Sequence, residues 1–244
     1  MRLFGLIGFP LSHSFSKGFF TEKFEKEGIT GCRYENFPIP EIEQFPRLWE
    51  ETPGLEGLNV TIPYKQAVIP FLDELSEAVK EIGAVNCIRR QHGRLKGYNT
   101  DVIGFRRSLE PLLRPHHTKA LILGAGGAAK AVKFALRQLG ITYTEVSRKY
   151  TDGTIGYEAV TPEIMKTHSL IVNTTPLGMY PDIADAPPIP YDLISKDHLL
   201  YDLIYNPAET QFLQHGAARG AAVKNGHEML VLQAEASWEI WNEG

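Results

Sequence analysis

The stretch ALILGAGGAAK, Ala120 to Lys130, decides how this chain folds. Ala-Leu-Ile-Leu is a short continuous apolar run, the pattern of a strand buried on both faces. Glycines end it, a helical pattern follows over Gly127–Leu139, and Tyr143–Val146 reads as the next strand. In such a β-α-β unit Gly124 permits the tight turn and Gly126 lets the backbone approach a pyrophosphate. Ala129 takes the third-glycine place, where helix and strand pack closely. Gly124, Ala125, Gly126, Gly127 and Ala128 would then offer amide N–H groups to phosphates at the helix start. A glycine turn alone binds nothing by necessity; the flanking strand and helix are what point to a dinucleotide.

The next strand indicates which dinucleotide. A carboxylate at its tip would bind the ribose hydroxyls of NAD. Here the strand ends in Ser147, Arg148 and Lys149, two of them cations suited to a 2′-phosphate. NADP is the expected cofactor. Glu145 lies near the carboxylate spacing and would favour NAD if it faced the cleft.

Working outward, strands and helices alternate through all 244 residues. Before Ala120 we read strands at Leu3–Gly8, Arg33–Phe37, Leu58–Ile62, Ala84–Arg89 and Leu95–Tyr98, the last two joined by a turn at His92-Gly93. Ser16 can cap a helix bearing Phe19, Phe20 and Phe24. A helix is expected from Lys65 over KQAVIPFL, and Thr100 or Asp101 can cap another carrying Val102, Phe105 and Leu109. The chain breaks at Arg114-Pro115-His116-His117 and restarts. Further strands follow at Leu170–Asn173, Leu200–Asp202 and Ala221–Lys224, then a helix from His227 to Trp241. Such alternation predicts an α/β protein with mostly parallel sheets covered by helices. The restart predicts two domains: 1–101 with 227–244, and 102–226.

Composition limits the alternatives. Hydrophobic residues make up 43%, enough for a core, and the net charge of −4 with no Lys/Arg-rich run argues against nucleic acid as a partner. Cys32 and Cys87 form neither a CxxC nor a zinc-spaced cluster, so free thiols are expected and no metal. The apolar N-terminus is short and broken by Pro10, and no run reaches the ~20 apolar residues of a membrane helix. A cytoplasmic protein without a membrane partner is expected.

The polar residues of the first half cluster at strand ends, where open α/β sheets bind ligands. Ser12, His13, Ser14 and Ser16 follow the first strand, Asn59, Thr61 and Lys65 the third, Asn86 falls in GAVN, and Asn99-Thr100-Asp101 closes the next. Lys65 stands out. A cation at a helix start is unfavourable by about 0.3–1 kcal/mol, so either its stem covers apolar neighbours or its charge serves a ligand.

With these residues in view, the sequence resembles the shikimate dehydrogenases. The matching motifs are GFPLSHSFS (Gly8–Ser16), NVTIPYK (Asn59–Lys65), GAVN, NTD, GAGGAA, NTTPLGM (Asn173–Met179), YDLIYNPAET (Tyr201–Thr210) and GHEMLVLQA (Gly226–Ala234), in that order along nearly the whole chain. Two departures stand out: Lys17 where the family's first motif has proline, and Ser147-Arg148-Lys149 where it has Asn-Arg-Thr.

The resemblance implies an N-terminal substrate-binding domain to which the last helix returns. It also implies a Rossmann domain for NADP and an active site in the cleft between them. It further implies that Ser14, Ser16 and Tyr205 bind a substrate carboxylate, and that Asn59, Thr61, Asn86, Asp101 and Gln233 hold ring oxygens. Lys65 and Asp101 would form the catalytic pair. Asn173, Thr174 and Thr175 would run along the cofactor, with Gly226 and Met229 near the nicotinamide. The expected activity is reversible NADPH-dependent reduction of 3-dehydroshikimate to shikimate by a monomer or homodimer. A quinate/shikimate dehydrogenase using NAD, or a catalytically silent metabolite sensor, are the alternatives.

Overall fold

The computed structural model describes residues 1–11, 15–148 and 153–243. The chain divides into two compact units, Met1–Ile103 with Gln233–Gly244, and Gly104–Leu232. Strands β1 (Arg2–Gly8), β2 (Cys32–Pro38), β3 (Leu55–Val60), β4 (Glu74–Leu75), β5 (Cys87–Gln91) and β6 (Arg94–Tyr98) form the first sheet in the order β2-β1-β3-β5-β6-β4. β1 pairs in parallel with β2 and β3, whereas β5 runs antiparallel to β3 and β6. His92 and Gly93, with φ of 50° and 78°, make the tight β5–β6 turn.

β1 alternates between two cores. Leu3 and Ile7 pack with Phe45, Leu58 and Ile88 on one face. Phe4 and Leu6 pack with Phe20, Phe24, Tyr34 and Trp241 on the other. The helices of the first half are α1 (Phe15–Lys26), α2 (Phe45–Glu51), α3 (Tyr64–Ala67), α4 (Glu77–Ile82) and α5 (Thr100–Leu109).

The second sheet is parallel throughout. β7 (Lys119–Leu123), β8 (Thr142–Val146), β9 (Thr154–Ile155), β10 (Leu170–Asn173), β11 (Leu199–Asp202) and β12 (Ala222–Lys224) lie in the order β12-β11-β10-β7-β8-β9. Read from β9 this is the 3-2-1-4-5-6 order of a dinucleotide-binding fold. α6 (Gly127–Gln138), α7 (Pro162–Thr167), α8 (Gln211–Ala218) and α9 (His227–Asn242) complete the chain. Among the described residues no helix is long and apolar enough to cross a membrane.

Several local expectations shift. The third strand ends at Val60 rather than Ile62, three residues before the turn-forming Pro63. The helix at Lys65 is a single turn, because Pro70 follows in a tighter turn over Ile69–Phe71. α5 begins at Thr100 and is capped by Asn99, whose Oδ1 accepts from Val102 N at 3.3 Å, so neither Thr100 nor Asp101 is the cap. α1 starts at Phe15, which puts Ser16 inside its first turn.

Candidate active site

The C-terminal end of β3, the GAVN turn, the start of α5 and the last helix bring their polar side chains together in the first unit. Lys65 Nζ donates to Asp101 Oδ2 at 2.8 Å, with the two side chains 35% and 25% exposed. The single turn of α3 sets the lysine, and the Asn99-capped first turn of α5 sets the aspartate.

Behind this pair lies a buried network of neutral groups. Asn59 Oδ1 accepts from the Tyr34 hydroxyl at 2.8 Å, and its Nδ2 donates to Ser237 Oγ at 2.9 Å and Asn86 O at 3.2 Å. Asn86 Oδ1 accepts from Thr100 N at 2.6 Å, and Asn86 Nδ2 donates to Thr100 Oγ1 at 3.0 Å. Thr100 Oγ1 lies 3.4 Å from Gln233 Oε1 and 3.3 Å from Ser237 Oγ. Ser16 reaches the same network through the Tyr34 hydroxyl. Burial pushes the Tyr34 phenol well above its ordinary range, and the Ser16 hydrogen bond opposes that rise. Thr61 leaves β3 with its N–H on Ile7 O at 3.0 Å. Ser14 lies outside the described residues.

In the second unit, a cleft of about 570 Å³ is lined by Gly124, Ala125, Gly126, Ser147, Arg148, Tyr157 and the Thr174–Leu177 loop. Gly124 has φ +107°, and a Cβ there would strike Thr174 and Thr175. Gly126 caps α6, while Gly127 and Ala128 form its first turn, whose N–H groups have no partner within the helix. Buried Ala129 packs beneath them.

Thr174 Oγ1 donates to Leu123 O at 2.8 Å, pinning the loop to β7. Ser147 and exposed Arg148 stand at the β8 tip; Lys149 lies outside the described residues. Glu145 points elsewhere: Lys133 on α6 donates to its Oε2 at 2.9 Å, and it does not line the cleft. The residues therefore fit a dinucleotide with a 2′-phosphate: open glycines for the pyrophosphate, a guanidinium at the strand tip and, among the described residues lining the cleft, no carboxylate.

Asn173 is fully buried beneath this loop, so it shapes the cleft wall without lining it. Gly226 N donates to Ile204 O at 3.0 Å, and half-buried Met229 follows on α9. Tyr205 is 48% exposed after β11. Among the described residues no group of His, Cys, Asp and Glu is arranged to hold a metal.

The sequence pattern does not single out Tyr34, Ser237, Tyr157 or Asp202. Asp202 sits inside the YDLIYNPAET stretch and was within reach. Tyr34, Ser237 and Tyr157 carry no local signal.

Residues 6–88 match the family model for the shikimate dehydrogenase substrate binding domain. A shikimate dehydrogenase (NADP(+)) of Clostridium beijerinckii is 42% identical over 255 residues, 100% of this chain and 93% of the relative. This chain belongs to the shikimate dehydrogenase family.

Two solved members of the family extend the likeness to structure. The Thermus thermophilus enzyme, solved with NADP(H) and shikimate, superposes with a TM-score of 0.86 at 33% identity over 99% of this chain and 94% of that one. The Listeria monocytogenes enzyme, solved with shikimate and NAD, gives 0.89 at 27% identity over 99% and 91%.

Proposed function

We propose that this chain is an NADP-dependent shikimate dehydrogenase. It would catalyse the reversible reduction of 3-dehydroshikimate to shikimate on the route to chorismate and the aromatic amino acids. The first unit, Met1–Ile103 with Gln233–Gly244, holds the substrate, and the second holds the cofactor. The observation that carries the reading is the Lys65–Asp101 pair, a partly exposed cation held at 2.8 Å beside a buried neutral network.

When bound, the reduced nicotinamide supplies a hydride to the ketone carbon. As charge builds on the ketone oxygen, the Lys65 ammonium stabilises it and gives it a proton, so the product is an alcohol. Asp101 fixes the ammonium and accepts from a substrate hydroxyl. Ser14, Ser16 and Tyr205 donate to the carboxylate, and neutral donors leave Lys65 as the cation nearest the carbonyl. Thr61, Asn86 and Gln233 offer polar atoms to the ring oxygens. Arg148, with Ser147 and Lys149, receives the 2′-phosphate of the cofactor.

A cytoplasmic setting goes with this reading and suits the free thiols of Cys32 and Cys87. The test is absorbance of reduced cofactor with shikimate and NADP+, run beside quinate and beside NAD+. Turnover is expected fastest with shikimate and NADP+. A preference for NAD+ or for quinate would overturn the assignment, and binding without turnover would mark a sensor.

A further inference from the structure

Asp202 ends β11 with no exposed surface, and the mechanism above leaves it without a role. Burial pushes its carboxyl up to about 6, against the pull of three hydrogen bonds. Oδ1 accepts from Asn173 Nδ2 at 3.0 Å and from Ile204 N at 3.1 Å, and Oδ2 accepts from Thr210 Oγ1 at 2.6 Å.

Each donor leads to a different segment. Asn173 ends β10, and its Oδ1 accepts from Thr175 N at 3.0 Å and Thr175 Oγ1 at 2.7 Å, on the loop that lines the cleft. Ile204 O accepts from Gly226 N at the start of α9, where a Cβ on Gly226 would run into the Leu203 carbonyl. Thr210 caps α8 by accepting from Leu213 N at 3.4 Å.

We propose that Asp202 is a positioning residue for the cofactor: its carboxylate locks the Asn173–Thr175 wall of the cleft and the Gly226 entry to α9 into one register. It does so without touching the ligand. The inference rests on the cofactor reading above. A carboxylate suits the task because it only accepts, and all three neighbours donate. An amide of the same shape would turn N–H groups toward one side. Thr210 could then reverse to accept from it, but its own proton would lose its acceptor.

The experiment uses the full chain carrying Asp202→Asn. NADP+ and shikimate are titrated separately by calorimetry, and amide exchange is followed across Thr174–Leu177. The expected result is a rise of tenfold or more in the Kd for NADP+, a Kd for shikimate within twofold of the parent, and faster exchange in the loop but not in mid-α6. A folded variant that binds NADP+ within twofold of the parent overturns the proposal. If that variant does not fold, Thr210→Val removes one donor and should weaken NADP+ threefold or more; unchanged affinity is then decisive against it. A parent chain that fails to bind NADP+ sinks the cofactor reading instead, and loop exchange that matches the parent in the variant sinks the anchoring role.

Discussion

Each unit contains a buried polar network, and the two place their charges in opposite ways. In the first, Tyr34, Asn59, Asn86, Thr100, Gln233 and Ser237 are linked through hydroxyls and amides, while the charges of Lys65 and Asp101 stand at the partly exposed edge. In the second, the carboxylate of Asp202 lies at the buried centre and the cation Arg148 stands at the exposed strand tip. A neutral network positions groups beside a reacting carbonyl without adding a field that changes with pH. A buried carboxylate holds several donors at once but must be desolvated. The contrast suggests that the first unit is built around its chemistry and the second around its geometry.

The largest effect should come from the edge of the neutral network. Lys65→Ala should lower kcat by about 10²–10⁴, the usual contribution of a general acid, with a modest change in KM. Because a part-exposed ion pair contributes only about 0–1 kcal/mol to stability, the melting temperature should move little. Steady-state kinetics with shikimate and a thermal melt check both halves. A change confined to KM would make Lys65 a binding group and blur the contrast.

The buried charge should behave in reverse. Asp202→Ala leaves Asn173, Thr210 and Ile204 N without their acceptor, each an orphan worth about 1–3 kcal/mol. A net loss on the order of 3 kcal/mol is expected, a large share of a typical total of about 5–15 kcal/mol. Urea unfolding measures it, and a loss below about 1 kcal/mol would show that water replaces the carboxylate. The neutral network should yield less. Tyr34→Phe removes the donor to Asn59 Oδ1 and should cost about 1–2 kcal/mol; a cost equal to that of Asp202→Ala would remove the distinction between the networks.

How far the sequence foretold this depends on the range of each interaction. The β7-glycine-α6 unit was legible because a fully buried strand, a turn glycine and an amphipathic helix are each local patterns. The cationic β8 tip was legible for the same reason. The apolar run Ala67–Phe71 looks helical until Pro70 is weighed, so the pattern predicts a longer helix than the one turn of α3. Gly57 reads as a break, so the pattern predicts a later start for β3 than Leu55. In the fold the Trp241 indole packs onto that glycine, a contact no local window contains. α4 and α7, six residues each, are too short to show a helical period, although Ser76 and Thr161 are visible caps. The meeting of Lys65 and Asp101 lies within reach of their motifs. That of Tyr34 and Ser237 with Asn59 does not, since they lie 25 and 178 residues away in the chain.

The smallest effect concerns pH and separates the networks by sign. The Asp202 carboxyl is raised to about 6 in the folded chain, from 3.8. Its contribution to stability is therefore fully present below the unfolded value and lost as pH rises through about 6. Between pH 7 and pH 5 it should add about 1 kcal/mol. His117 and His168 are shifted the other way, their protonation opposed chiefly by burial. Their contribution is present above about 6.5 and is lost as pH falls through their lowered values. In the parent chain the carboxyl offsets the histidines, so stability should fall only gently from pH 7 to pH 5. Asp202→Asn removes the offset, and urea midpoints for that variant should fall more steeply over the same range. Tyr34→Phe should leave the slope as it is, because burial moves the Tyr34 phenol away from this range rather than into it. Parallel slopes for the parent and Asp202→Asn would show that the carboxyl does not titrate between pH 5 and pH 7. The two networks would then differ in strength alone.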